Sequence, residues 1–334
     1  MASRKRVIVD TNLWSYVGDL GHANALRRVT EEAGFTVLLP PSILVELLRN
    51  PHAESRRRHV AAIGAVRGQR MASEAEMCAD DFVRMVKRRR PEWLRAIADM
   101  SSVDKFHRLW TRDVWRFANA DPDAAHEWVM GGYDPTTEIT ATQKHNSKQM
   151  RTDNFASDYN GLLRTGSPEA AQAHLPGWDG HEVEAWRFDL ASRYWFDMTT
   201  GRGDRGYSGF VQTNRDWIGS RVDMREATTD PTDFVRLWFD EAEVGEVPRD
   251  WIRAALAYTQ TTKKIGPGNA RDEQHSAYLP DADKFLTADR RFASALHEVR
   301  RQAPFDFAEP HVVSAGDGGS SLVDEIASIL VRAE

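Results

Sequence analysis

Four acidic residues stand where a parallel α/β sheet would bring carboxylates together. Asp10 follows a β-branched apolar run, and Asp289 follows a second short apolar run near the other end of the chain. Glu46 lies in a helical pattern after the second strand pattern, and Asp272 opens a late helical pattern. Ligands of open α/β sheets bind at the carboxyl ends of the strands. We therefore expect these four side chains to converge on one edge if both chain ends share a sheet.

A cluster of carboxylates predicts a cation. Carboxylates repel one another and are tolerated together mainly where a cation lies among them. Oxygen-only ligands favour Mg²⁺ or Mn²⁺ over zinc, and the single cysteine, Cys78, excludes cysteine zinc sites and an intrachain disulfide. The sequence therefore predicts a Mg²⁺ or Mn²⁺ site whose metal-binding and catalytic residues are Asp10, Glu46, Asp272 and Asp289.

The two ends of the chain carry the pattern that would position these acids. Short apolar runs typical of buried strands occur at 7–9, 35–39, 283–287 and 311–315. Helical patterns alternate with them at 24–33, 40–49, 272–278, 290–301 and 320–333. Because strands that alternate with helices favour a parallel sheet, we predict an α/β fold.

The middle of the chain has a different character. It contains ten of the eleven tryptophans and is dominated by helical patterns, as at 74–86, 92–117, 183–196 and 232–242. The Gly-Pro-Gly at 266–268 is a good hinge back into the α/β part. We predict a catalytic domain formed by residues 1–50 and 265–334, split by a mostly helical insertion at 51–264.

Three segments together resemble the PIN-domain nucleases: VIVDTN at 7–12, PPSILVELLR at 40–49, and Asp272 followed by DKFLTADRRF at 283–292. In that family one acid ends the first strand, and a second lies in the helix after strand two. A third acid starts a late helix, and a fourth follows a Thr-x-Asp turn. The corresponding residues here are Asp10, Glu46, Asp272 and Asp289. The long insertion after the second acid departs from the family pattern, which puts the substrate in doubt more than the chemistry.

The resemblance implies a PIN-like parallel sheet with helices on both sides and an endonuclease that cleaves RNA, which is favoured over DNA. One or two Mg²⁺ or Mn²⁺ ions held by the carboxylates would polarise the scissile phosphate and lower the pKa of an attacking water. Thr11, Asn12 and Thr287 are expected to orient the carboxylates, since short polar side chains beside metal ligands often do so.

The resemblance also implies partners. Short members of the family act as toxins that an antitoxin neutralises, and PIN-like domains often dimerise, so a protein inhibitor and a homodimer are both implied. A chain of 334 residues is equally compatible with defence or RNA processing. Contacts with nucleic acid are predicted at the basic residues Lys87, Arg88, Lys144, Lys148 and Arg151.

Charge and hydropathy limit the surface and the location. The net charge of −6 means that any phosphate-binding surface must be a local patch. No apolar run approaches the ~20 residues that span a bilayer, and the run after the basic N-terminus is too short for a signal peptide. We expect a cytoplasmic protein without a membrane partner.

Each acid also has an ordinary structural interpretation. Asp10 and Asp289 could cap helices, Asp272 could be a first-turn acid favoured by the helix dipole, and Glu46 could lie at the edge of an apolar face. The main alternative function is accordingly a non-catalytic PIN-like scaffold that binds nucleic acid. A phosphotransfer enzyme of the haloacid-dehalogenase type, with Asp10 as nucleophile, ranks third because Asn12 stands where a second Asp is wanted.

Three further residues lie near these acids in the sequence and are considered for the site. Asp281 and Asp283 flank the same strand pattern as Asp289, and either could assist or replace it. His275, one turn into the Asp272 helix, is expected to be a surface or packing residue.

Overall fold

A computed structural model gives the fold, and it describes residues 4–101, 103–132, 136–152, 164–165, 175–200, 209–261, 263, 265–266, 268–314 and 321–332. The strands in this part of the chain are β1 (Lys5–Val9), β2 (Phe35–Leu39), β3 (Gln69–Arg70), β4 (Arg164–Thr165), β5 (Val183–Glu184), β6 (Lys284–Thr287) and β7 (Glu309–Val312).

Helices make up most of the rest. The α-helices in the described residues are α1 (Thr11–Asp19), α2 (Ala23–Glu32), α3 (Pro41–Leu48), α4 (Ala53–Val66), α5 (Glu74–Arg89), α6 (Asp104–Arg108), α7 (Val114–Ala120), α8 (Pro122–Gly131), α9 (Thr136–Thr152), α10 (Ala185–Thr199), α11 (Gly209–Gly219), α12 (Met224–Ala227), α13 (Pro231–Arg236), α14 (Pro248–Thr261), α15 (Asn269–Ser276), α16 (Arg290–Gln302) and α17 (Leu322–Val331). Short 3₁₀ turns occur at Pro91–Trp93, Val244–Glu246 and Leu279–Asp281, and π-helical turns at Leu109–Asp113 and Leu237–Glu241.

Five strands form one parallel sheet in the order β3-β2-β1-β6-β7, while β4 and β5 form a separate antiparallel pair. In the centre of the sheet, Val7 pairs with Val37 of β2, and Val9 pairs with Leu286 of β6. The carboxyl ends of β1, β2 and β6 therefore lie at the same edge. The mixed α/β class with a parallel sheet flanked by helices, predicted from the sequence, is confirmed.

The central strands form because their sequences are apolar on both faces. Val7, Ile8 and Val9 are essentially without solvent exposure, and every residue of β6 is buried. Such continuous apolar runs are typical of parallel strands that helices cover on both sides. Helix α3 then begins directly after β2, with Pro41 in its first turn, where a missing N–H costs nothing.

The described residues between 51 and 264 pack against the part of the chain that forms the sheet. They supply the edge strand β3, and one cluster of buried apolar side chains extends through both parts of the chain. Arg249 connects the parts electrostatically, since its guanidinium lies 2.9 Å from Asp81 and 2.7 Å from Asp281. The Tyr278 hydroxyl also donates to Glu74 of α5 over 3.2 Å. These contacts fix α5 and α14 relative to the end of the chain that carries β6.

Two predicted elements differ from the structure. The single helix predicted over 92–117 is wrong, because backbone pairing with residues far along the chain interrupts it: Leu94 bridges Val222, and Asp99 N–H donates to Ser220 O. Helix α9 (Thr136–Thr152) is not among the helical patterns recognised in the sequence. The buried face of α9 is polar, with Thr140, Gln143 and Ser147, so it lacks the apolar period by which helices are recognised.

Among the residues that the structure describes, no helix is both long enough and apolar enough to cross a membrane.

Candidate functional site

The site begins where β1 and β6 end. The Asp10 N–H donates to Leu286 O over 2.8 Å and extends the pairing of the two strands by one residue. Thr287 is fully buried, and its hydroxyl donates to Asp10 Oδ2 over 2.6 Å, although 277 residues separate the two in sequence. The parallel sheet thus joins the two chain ends directly at the first acid.

Asp10 is buried and held by several donors. Its Oδ1 accepts the Thr11 N–H over 2.8 Å as the N-cap of α1, and its Oδ2 accepts from Asn12 Nδ2 over 2.9 Å. Burial raises the pKa of Asp10 above its ordinary value, and the charge of Glu46 adds to this, while the hydrogen bond from Thr287 opposes it. Asp10 therefore has both a capping role and a place in an acidic cluster.

Glu46 is tied to the helix that carries Asp272. Its Oε2 accepts from the Thr11 hydroxyl over 2.7 Å and lies 2.9 Å from His275 Nε2, and its Oε1 lies 3.4 Å from Arg271 Nη1. Burial by itself would raise the pKa of Glu46, but these hydrogen bonds and positive charges outweigh it and lower the pKa to about 2. The ionised Glu46 side chain thus connects α3 with α15.

His275 is not a surface residue, because it is buried in direct contact with Glu46. It is buried, with Nδ1 2.9 Å from Ser42 Oγ and Nε2 on Glu46. Burial by itself lowers the pKa of His275, but the bond with Glu46 and the charges of Asp10 and Asp272 raise it above the ordinary value. A sequence signal for it existed, because residues three apart lie on the same side of a helix.

Asp272 lies in the first turn of α15 and is only partly exposed. Its Oδ2 accepts a hydrogen bond from Gln260 Nε2 over 3.0 Å. Burial, followed by the negative charges of Asp10, Asp289 and Glu46, raises the pKa of Asp272 to about 8. Burial and the neighbouring negative charges therefore both disfavour the ionised form of this carboxyl.

Asp289 is exposed and caps α16. Its Oδ1 accepts the N–H groups of Arg291 and Phe292 over 2.7 and 3.0 Å, and its own N–H donates to Thr287 Oγ1 over 2.9 Å. Its charge still reaches Asp272, whose pKa it helps to raise. The cap and the acidic cluster are compatible roles for this residue.

The two neighbouring acids do not take part in the site. Both precede β6 and lie at its amino end, on the opposite edge of the sheet. Asp281 pairs with Arg249, and Asp283 Oδ2 accepts the Arg6 N–H over 2.5 Å. Neither can replace Asp289.

The three polar residues expected to orient the acids all contact them or their neighbours. Thr11 bonds to Glu46, and Thr287 bonds to Asp10. Asn12 bonds to Asp10 and to Thr287 Oγ1, and its Oδ1 accepts the N–H of residue 288 over 2.9 Å. These bonds link the ends of β1 and β6 and leave little rotational freedom to Asp10.

The cluster fits a divalent cation in its chemistry but is not assembled around one. Within the described residues, no three His, Cys, Asp or Glu side chains stand in position to hold one metal ion together. The donors are nevertheless carboxylate oxygens, which Mg²⁺ and Mn²⁺ prefer. The raised pKa of Asp272 also marks negative charge that a cation would offset. Ligation by three acids at once would require side-chain rotation.

The basic residues predicted to contact nucleic acid lie on two helices, α5 and α9. Lys87 and Arg88 are exposed near the end of α5, where Arg88 Nε lies 3.6 Å from Glu246. Lys144 and Lys148 are exposed on α9, whose buried Ser147 bonds to the backbone of α14. The side chain of Arg151 lies outside the described residues. Only the α9 lysines thus belong to a helix that packs next to the site.

Sequence reasoning missed Gln260, Ser42 and Arg271. Arg271 and Ser42 adjoin residues of the motifs, and their side chains meet Glu46 and His275 only after the two chain ends associate. Gln260 lies in the predicted insertion, and nothing in the local sequence connects it with Asp272.

Comparisons of the chain with protein-family models, with curated proteins and with solved structures gave no match.

Proposed function

We propose that this chain is a metal-dependent endoribonuclease with a PIN-like catalytic part, in which Asp10, Glu46, Asp272 and Asp289 form the catalytic centre. The observation that carries the proposal is the geometry at the carboxyl ends of the strands, where Thr287 bonds to Asp10 and where Glu46 bonds to both Thr11 and His275, on the helix that carries Asp272. Burial, together with the charges of the other three acids, also raises the pKa of Asp272 to about 8. Carboxylates from both chain ends are thus close enough to repel one another, which is costly unless a cation is bound.

The cation would be Mg²⁺ or Mn²⁺, and when bound it would polarise the scissile phosphate and lower the pKa of the attacking water. The chain's own residues prepare the ligands. Thr287 and Asn12 hold Asp10, and Thr11 holds Glu46. Such contacts limit the orientations that the ligating side chains can take.

Positive side chains beside the acids have a different role. His275 is buried between Ser42 and Glu46 and keeps Glu46 in one orientation. Arg271 retains about a third of its side-chain exposure while it pairs with Glu46, at 32%. Its guanidinium is therefore accessible to a phosphate of the substrate, a group that arginine binds in a bidentate manner.

The resemblance supports RNA over DNA as the substrate, and it supports a protein inhibitor of the antitoxin type and a homodimer as partners. Lys144 and Lys148 are the predicted basic residues on a helix that packs against α15, so they are the preferred contacts with the substrate backbone.

The test is cleavage of labelled RNA and single-stranded DNA with Mg²⁺, with Mn²⁺ and with EDTA. Asp10→Asn is compared with Asp283→Asn, an equal change at the opposite edge of the sheet. We expect metal-dependent RNA cleavage that falls at least ~100-fold in Asp10→Asn, since losing ~3 kcal/mol of transition-state stabilisation has that effect. The Asp283→Asn variant should cleave like the wild type. Equal cleavage by all three proteins would contradict the proposal.

A non-catalytic scaffold is the second candidate, and one observation favours it. The described acids are not assembled into a metal-binding group. A scaffold predicts RNA binding that persists in EDTA without cleavage under any metal condition, and the same gels report both properties.

A further inference from the structure

Two buried glutamines approach helix α15 from the lobe formed by residues 51–264. Gln260, near the end of α14, donates to Asp272 Oδ2 over 3.0 Å, and Gln143, on α9, donates to Glu273 Oε2 over 3.4 Å. Each residue is 4% exposed. Within the described residues the Oε1 atom of each is buried and has no hydrogen-bond partner. The two differ in one respect that matters, because only Gln260 touches an acid of the proposed centre.

A buried amide oxygen without a partner is unfavourable unless something binds it. Gln260 places such an oxygen on the same amide group that holds Asp272. An amide carbonyl is a neutral oxygen ligand of the kind that hard divalent cations accept beside carboxylates. A neutral donor adds coordination without adding to the repulsion among the four acids.

The lobe fixes the position of Gln260 through a buried chain of charges on α14. Arg253 Nη2 lies 3.3 Å from Glu273 of α15, and Asp250 Oδ1 lies 2.6 Å from Arg193 of α10. The Tyr194 hydroxyl donates to the other oxygen of Asp250 over 2.6 Å. Helix α14 is thereby held against α15 on one side and against α10 on the other, so its orientation depends on the lobe.

We propose that Gln260 is a positioning residue of the acidic centre, through which the lobe takes part in binding the divalent cation. The amide nitrogen holds Asp272, and the unpartnered Oε1 supplies a neutral oxygen to the cation. The inference rests on the proposed function, because it concerns the same centre. It assigns to the lobe a share in the chemistry of the site in addition to any contact with substrate.

The experiment is calorimetric titration of the full chain with Mn²⁺ for the wild type, Gln260→Ala and Gln143→Ala. The two variants remove equal side chains of equal burial, so a purely structural effect should be similar in both. Loss of a residue that orients a metal ligand lowers metal affinity by ~10–100-fold. We expect such a loss in Gln260→Ala and an affinity within about twofold of the wild type in Gln143→Ala.

A second variant keeps the test decisive if Gln260→Ala folds poorly. Gln260→Glu preserves the length and the oxygen but adds a charge beside Asp272. We expect a lower thermal midpoint without metal, and a larger upward shift with saturating Mn²⁺ than in the wild type, because a ligand that binds only the folded state stabilises it. A shift no larger than that of the wild type would overturn the inference.

The outcomes separate this inference from the proposed function. If the wild type binds Mn²⁺ and cleaves RNA but Gln260→Ala matches Gln143→Ala in Mn²⁺ affinity, the inference is overturned and the proposed function stands. If the wild type binds neither Mn²⁺ nor Mg²⁺, both are overturned.

Discussion

The acidic site at the sheet edge and the charged cluster between helices α10 and α14 both bury carboxylates, yet they balance charge differently. In the cluster, Asp250 lies 2.6 Å from Arg193 and 4.0 Å from Arg253. Burial would raise the pKa of Asp250, but the two guanidinium groups lower it. At the sheet edge, the contact to Asp272 is the neutral amide of Gln260, and the pKa of Asp272 rises to about 8.

This difference separates carboxylates whose charge arginines of the fold balance from carboxylates whose charge the proposed cation would balance. Where a buried acid faces arginines, removing one partner is destabilising, because the other charge is left buried without compensation. Buried acids that face one another disfavour their own ionised forms. We therefore expect the replacement of a buried Asp by Asn to have opposite effects on stability in the two regions.

The largest expected effect is in the helical cluster. Asp250→Asn leaves Arg193 and Arg253 without their buried counter-charge, and removing one partner of such a pair costs about 3–5 kcal/mol of unfolding free energy. Denaturant unfolding at pH 7 measures the loss. A loss below about 1 kcal/mol would contradict this expectation, because it would show that the stability of the fold does not depend on charge balance in the cluster.

Asp197 lies in the same cluster as Asp250, but the positive charges around it compensate its buried carboxylate less completely. Burial, with a contribution from Asp250, raises its pKa to about 6, although Arg193 and a hydrogen bond from Asn214 oppose the rise. Between pH 4 and 6 the folded state keeps a proton that the unfolded state has released, so this group's contribution to stability is lost as pH rises through that window.

Asp197→Asn removes this pH dependence. Relative to the wild type, the variant should gain about 1–3 kcal/mol of stability between pH 4 and pH 7. Unfolding curves at several pH values give the difference directly. A difference that stays constant from pH 4 to 7 would show that Asp197 is as well balanced as Asp250.

The smallest effect on stability is expected at Asp289, where two substitutions distinguish a helix-capping role from a role in catalysis. Asn can still accept the N–H groups of Arg291 and Phe292, so Asp289→Asn should change stability by less than ~0.5 kcal/mol, whereas Asp289→Ala should cost ~1 kcal/mol. Both variants should lose RNA cleavage if the charge serves the centre. An Asn variant that cleaves like the wild type would reduce Asp289 to a helix cap.

The sequence predicted the sheet and the edge on which the acids lie, because both follow from local patterns. Runs such as Val7–Val9 are apolar on both faces, and parallel strands place their carboxyl ends together. The sequence analysis did not predict the helix Thr11–Asp19, although Leu13, Trp14 and Val17 are buried at helical spacing, because this apolar pattern covers little more than one turn. Asp10, predicted as a strand-end acid, also begins this helix as its N-cap.

The contacts around the acids could be predicted only in part. Thr11, Asn12 and Thr287 adjoin the acids in sequence, so their proximity follows from the motif. The contact of Gln260 with Asp272 depends on how α14 packs against α15, to which ion pairs such as Arg253 with Glu273 contribute. Such pairs join residues by tertiary packing, and no periodicity reports them.

The most direct test of the central claim is to measure RNA cleavage and stability together for Asp272→Asn. Because the pKa of Asp272 is raised to about 8, the ionised carboxylate is unfavourable at pH 7, and a neutral amide should leave the stability of the metal-free protein unchanged or higher. The account predicts a fall in Mg²⁺-dependent cleavage of at least ~100-fold without loss of stability. Retained cleavage, or a loss of stability comparable with that of Asp250→Asn, would contradict a catalytic centre at this edge of the sheet.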